Sequence, residues 1–308
     1  MPVPESARRE PRCLVGTAGW ADRDLIESGW YPAEVRSPAE RLAYYADRFA
    51  LVEVDSPFYA IPGQSAVLGW AQSSPSGFVM DVKAYSLLTG HRTRTATLPP
   101  DLRELAEGAR IAAGSATKEL LDATWQWFHA AVEPLRQAGR LGLVLMQFPP
   151  TCRAEPQGLR RVEEALSLCA PLQAAVEFRH DSWLDAAHRD RALALLRAYN
   201  AAFVCVDMPQ SQSHAMPPDA ELTADKAVIR LHGHSAMWAD GGKEARYRYE
   251  YTEAELAAWA ERAQRLSRSV DEVHIVVNTC CAGAAQRAAA RLREFVDPIA
   301  DDTRGDTA

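Results

Sequence analysis

Eight short apolar runs punctuate the chain, and each ends in, or just past, a polar or charged residue. They cover 13–17, 51–55, 78–83, 143–147, 175–179, 203–207, 228–232 and 274–278. Runs of this length, rich in Val, Ile and Phe, predict buried strands. Helical periodicity separates most of them. Ser37, Pro38 and Glu40 supply an N-cap, a first-turn proline and a capping box, which predict a helix over 37–49. Further helices are expected over 64–72, 160–168, 183–198 and 284–295, and a second capping box at Thr252 and Glu255 opens one to about residue 266. Strand-then-helix alternation eight times over predicts the α/β class and a TIM-type (β/α)8 barrel. One domain is expected over 13–298, between a disordered tail at 1–12 and a flexible tail at 299–308. The longest gap predicts a helical insertion at about 85–140, between strands 3 and 4, either a lid over the barrel mouth or padding on its outer wall.

Period two along the strands carries the argument from fold to chemistry. Glu177 and Arg179 share one face of the fifth strand, Arg230 and His232 one face of the seventh. Glu53 and Asp55 pair in the same way on the second, Asp81 and Lys83 on the third. Helices cover the outside of such a barrel, so apolar residues pack outward and charged ones point in. Charges are rarely buried without partners. Glu53, Lys83, Glu177, Arg179, Asp207, Arg230 and His232 must therefore be mutually paired, hydrated or ligand-binding. These barrels place their chemistry at the C-terminal ends of the strands, which favours a site.

Composition narrows the partners. The net charge of −7 over 308 residues implies no broad basic face, which argues against non-specific duplex binding. No stretch is long and apolar enough to span a bilayer. The polar start of the chain has no apolar segment of the secretory kind. Six Cys show no CxxC and no ligand spacing, which fits a cytoplasmic protein. Cys280 and Cys281 are adjacent and either buried or redox-labile.

Several ordered motifs also resemble a known family, the YecE-like proteins (domain of unknown function number seventy-two), over nearly the whole chain. They are Gly16-Thr17-Ala18-Gly19-Trp20, Trp30-Tyr31-Pro32, Val52-Glu53-Val54-Asp55-Ser56, Phe58-Tyr59 and Thr89-Gly90-His91. The run from Leu145 to Pro150 with Gln147 follows, then Glu177-Phe178-Arg179-His180-Asp181-Ser182-Trp183, the most specific. Arg230-Leu231-His232-Gly233, Tyr249-Glu250-Tyr251 and Asn278 complete the set. The resemblance implies a barrel related to the xylose-isomerase and endonuclease IV architecture, without an established reaction. This chain departs from the family pattern at Ala18 (Ser is usual), Asp55 (Asn), Pro57 (Thr) and Val277 (Asn). Asp55 adds a negative charge that would disfavour an anionic ligand.

Three chemistries compete. In the leading one, a small phosphate- or carboxylate-bearing ligand is bound by Arg179 and Arg230 with Lys83, in a net-cationic pocket, and Glu177, His232 or Lys83 moves a proton without a metal or other cofactor. Glu53, Asp207, Asn278, Gln147 and His91 complete the expected lining, and Tyr59, Trp20 and Trp183 would stack on a sugar or base. A metal-dependent phosphodiesterase or isomerase of the endonuclease IV kind is the alternative. His232-Gly233-His234 has the HxH form, but Arg179 and Arg230 would repel a cation. The third is a non-catalytic module binding a metabolite or a nucleic-acid end. Oligomeric state is not legible.

Overall fold

The apolar runs close into one parallel barrel in this computed structural model, which describes residues 12–238 and 242–296. The strands are β1 (Arg12–Ala18), β2 (Leu51–Val54), β3 (Val79–Lys83), β4 (Leu141–Gln147), β5 (Ala174–Glu177), β6 (Ala202–Asp207), β7 (Lys226–Leu231) and β8 (Glu272–Val277). Each pairs in parallel with its sequence neighbours, and β8 closes on β1. Arg12, expected in a tail, begins β1 opposite Glu272. The rest of the expected tails, 1–11 and 299–308, lies outside the described residues.

The outer wall is α1 (Pro38–Ala46), α2 (Gln64–Gln72), α3 (Lys118–Gln137), α4 (Pro156–Cys169), α5 (Arg189–Ala198), α6 (Glu253–Ser267) and α7 (Ala284–Val296). Both capping boxes form, Ser37 with Glu40 and Thr252 with Glu255. Among the described residues the crossover from β6 to β7 has no helix; 208–225 runs as a loop. The expected insertion also differs in kind. Its helical part, α3, is the ordinary β3–β4 crossover helix. The extra chain is 84–117, made of short 3-10 segments and a short hairpin pairing Thr93–Arg94 with Arg110–Ile111. Pro99, Pro100 and three glycines between 90 and 114 explain why it stays irregular.

Outward side chains join the wall. Thr17 donates its N–H to the Tyr45 hydroxyl on α1 at 2.8 Å. Phe178 stacks on Trp183, with ring centroids 4.0 Å apart. Inward side chains begin with an apolar group of Leu14, Leu51 and Val276. Beside it lies a buried pair, Asp81 with His274 Nδ1 at 2.8 Å. Asp81 also accepts the Leu143 N–H at 2.7 Å. Gly142 makes room for this, because a Cβ there would lie 2.2 Å from the Asp81 carboxylate.

Candidate active site at the barrel mouth

Above the Asp81–His274 pair, β2, β5 and β7 bring Glu53, Glu177 and Arg230 together. Arg230 is fully buried and donates through Nε to Glu53 at 2.8 Å, through Nη2 to the same carboxylate at 2.5 Å, and through Nη1 to Glu177. Its guanidinium is committed to these two carboxylates, so the expectation that it grips a ligand is corrected: Arg230 belongs to the frame. Glu177 also forms an ion pair with Arg179. Burial alone would raise the Glu177 pKa, but the two guanidiniums outweigh it and hold this carboxyl well below its ordinary range. Glu177 is thus a fixed anion, which suits positioning and not the proton transfer expected of it. For Glu53 burial outweighs Arg230 and pushes the carboxyl up to about 7.

The next layer reaches the opening. Arg179 Nη2 donates to Gln147 at 3.2 Å and lies 3.2 Å from His232 Nε2. His232 Nδ1 is 2.9 Å from the Asn278 carboxamide. Burial first, and the Arg179 charge second, push His232 down to about 3, so its ring is neutral. It is fully buried, beneath the Tyr247 and Trp238 rings at 5.9 and 6.1 Å. Gly233 follows with φ of 79°, a turn that glycine adopts freely, and a Cβ there would strike Tyr249 at 2.4 Å.

Lys83 ends β3 with Nζ 3.2 Å from Asp55 and 4.8 Å from the Phe58 ring centroid. The His91 ring packs edge-on against Phe58 and bonds Thr89 Oγ1 through Nδ1 at 3.0 Å. Burial, and then the charges of Lys83 and Arg179, push His91 down to about 4. The extra loop therefore borders the mouth through a neutral histidine. Lys83, Arg179 and Arg230 are matched by Asp55, Glu177 and Glu53, so the expected net-cationic pocket is formally balanced.

Other expected members lie elsewhere. Asp207 aligns with Leu231, one residue out of step with Arg230, and so emerges on the opposite face of the sheet. There it accepts from the Tyr251 hydroxyl at 2.6 Å and pairs with His234 Nε2 at 2.8 Å. His232 and His234 consequently diverge, and the HxH form converges on no common point. Trp183 is sealed, its indole N–H donating to the Cys152 carbonyl at 2.7 Å, so it offers no face to a ligand. Trp20 is closed edge-on against Trp70. Tyr59 is about half exposed and keeps a ring that a ligand can reach. Sequence reasoning missed Tyr247 and Trp238 above His232; Tyr249 and Tyr251 were visible only as a motif.

Among the described residues, His180, Asp181 and His214 form the one group with metal-ligand potential, and it lies in the loops after β5 and β6. The two imidazoles stack at 4.3 Å with planes 16° apart. Both Nδ1 atoms lie 3.1 Å from the same Asp181 Oδ1, and His180 Nδ1 also accepts the Ser182 N–H, so the cluster is already closed on itself. A cavity of about 300 Å³ lies apart from the mouth, between Leu88, Trp125 and Arg161.

Comparison with known proteins agrees with this architecture. The model of a family described as "Protein of unknown function DUF72" matches residues 14–305. UPF0759 protein YunF of Bacillus subtilis is 28% identical over 290 residues, 92% of this chain and 94% of that one. A solved DUF72 family protein from Thermotoga maritima superposes with a TM-score of 0.75 at 26% identity, covering 92% of this chain and 99% of that one. One from Enterococcus faecalis gives 0.74 at 21%, covering 93% and 98%.

Proposed function

The chain belongs to the DUF72 family, and we propose that its barrel mouth binds a small phosphate- or carboxylate-bearing molecule and moves a proton on it by metal-independent acid–base chemistry. The observation that carries this reading is that Lys83 and His91 pack on one ring, Phe58, at 4.8 and 5.0 Å from its centroid, with Arg179 close enough for its charge to help keep that imidazole neutral. The two cations would hold the anionic group, Arg179 through Nη1, since its Nε faces Glu177 and its Nη2 faces Gln147 and His232. Gln147 and Asn278 would donate or accept beside it. His91 is the base a bound molecule meets first, because His232 is buried behind Arg179 and Asn278. Glu177 becomes a positioning residue that aims Arg179, and Arg230 fixes Glu177. An anion must compete with Asp55 for Lys83, so a modest affinity is expected.

Calorimetric titration with inorganic phosphate and with a small dicarboxylate tests this. Binding to the wild type is expected, with a rise in melting temperature as the native state is stabilised. Lys83→Ala should weaken it by about ten-fold, the order of one charge-assisted hydrogen bond. No heat and no melting shift with either probe at millimolar concentration would sink the proposal.

A further inference from the structure

Cys280 and Cys281 occupy the turn between β8 and α7, and three observations set this turn apart. Their Sγ atoms are 2.9 Å apart, against ~2.05 Å for a disulfide bond. Cys281 and Ala282 both hold left-handed φ, 82° and 48°, and Gly283 follows at 73°. A non-glycine residue there costs ~1–2 kcal/mol, a cost that glycine avoids at 283 and that at 281 is borne by a residue bringing a thiol. Finally, Cys280 grips the segment that covers the mouth. Its N–H donates to the Tyr247 carbonyl at 2.8 Å and its thiol to the Glu244 carbonyl at 3.0 Å. Tyr247 is the residue whose ring lies over His232.

We propose that Cys280 and Cys281 are a reversible redox pair: a low-molecular-weight disulfide oxidises them to a vicinal disulfide, and the change loosens residues 244–248 over the barrel mouth. The Cys281 thiolate attacks one sulfur of R–S–S–R, forming a mixed disulfide and expelling RS⁻. Cys280 then loses its proton and attacks Cys281 Sγ, expelling the second RS⁻. The two thiolates released take up the two protons. The protein dithiol loses two electrons and the small disulfide gains them. Cys281 leads because burial pushes the Cys280 thiol up to about 12. The second step is intramolecular between adjacent residues, which offsets that handicap. Adjacent Cα atoms are ~3.8 Å apart, shorter than the ~4.4–6.8 Å usual for disulfides, so the ring is strained. Strained, accessible disulfides are the readily reduced ones, which suits a switch better than a staple. Oxidation also removes the S–H that holds the Glu244 carbonyl. The consequence for function rests on the mouth being the site proposed above; the disulfide does not.

The full chain is treated with glutathione disulfide and read by intact mass, peptide mapping and amide hydrogen exchange. Loss of two hydrogens, a linkage mapped to 280–281, reversal by dithiothreitol, and several-fold faster exchange at 244–248 are expected. Cys280→Ser should stop at a mixed disulfide on Cys281. A wild type that ends at mixed disulfide, or links other cysteines, overturns the pair. A correct linkage with unchanged exchange overturns the loosening. Cys281→Gly should raise the melting temperature by relieving the strained φ; a lowered one overturns the reading that the strain is kept for the thiol. Phosphate failing to bind in both redox states would count against the mouth as the site and leave the redox pair standing.

Discussion

Arg230 and Lys83 carry the same charge and point into the same barrel, yet their surroundings predict opposite behaviour. Arg230 is the only cation described on the Glu53 carboxylate and one of two on Glu177. Arg230→Met leaves the buried Glu53 carboxylate without its counter-charge and Glu177 with Arg179 alone. A cost of ~3–5 kcal/mol is expected, the usual penalty for removing one partner of a buried pair, seen as a lower urea midpoint. Trp183→Ala should cost a similar ~3–5 kcal/mol through the cavity it leaves, with phosphate affinity of the surviving folded protein unchanged. Lys83→Ala should cost less, ~1–2 kcal/mol, because its ion-pair partner Asp55 keeps 27% of its side chain exposed and is hydrated once the cation is gone. A Lys83 variant as unstable as the Arg230 variant would make Lys83 part of the frame and remove it from the site. At this scale the sequence identified which residues are charged and inward, because alternation along a strand decides that. It did not show which cation is spent on which carboxylate, since that depends on side chains 177 residues apart in the chain.

Strands determine facing, but closure of the barrel determines height. Glu53 and Asp81 are register partners on β2 and β3, and both point inward. Tilted strands shear past one another, so partners in register stand at different levels. Asp81 therefore meets His274 on β8 below the Glu53 layer and leaves Lys83 alone at the top of β3. Alternation was legible in the sequence; shear was not, and neither was the face of Asp207, because β6 is apolar on both sides. The Asp81–His274 pair has a measurable consequence. Burial would lower the His274 pKa, but Asp81, helped by Glu272, outweighs it and raises it to about 9. The folded state then holds a proton that the unfolded chain releases near 6.5. This stabilisation is complete below pH 6.5 and is lost as the pH rises through 9. Its size is on the order of 3 kcal/mol, because each tenfold gain in proton affinity is worth about 1.4 kcal/mol. Glu53, His91 and His232 also bind protons differently in the folded and unfolded chain, so the pair is read against His274→Gln: between pH 6 and pH 9.5 the wild type should lose about 3 kcal/mol more stability in urea than that variant. Equal losses in the two proteins would mean that the pair is not ionised.

For the molecule as a whole, the barrel presents a formally neutral mouth inside a chain of net charge −7. General attraction therefore does not draw an anion in, and the local balance decides. Glu53 is the member of that balance set to change near neutrality, since burial pushes it up to about 7. Below that pH it takes a proton, and the layer of Lys83, Arg179, Arg230, Asp55 and Glu177 is left with one positive charge. Anion binding should strengthen as the pH falls from 8 to 6. Sulfate is the probe of choice because its own charge stays constant over that range, whereas phosphate titrates within it. For a dianion about 8 Å from the new charge, screened as by water, the gain is ~1 kcal/mol, or about five-fold in affinity. Glu53→Gln should bind as the wild type does at pH 6 and show no dependence on pH. Sulfate affinity that is flat in the wild type would return Glu53 to a permanently ionised partner of Arg230. Affinity that rises equally in Glu53→Gln would transfer the titration to another group at the mouth. Either result would be read directly from one titration series on two proteins.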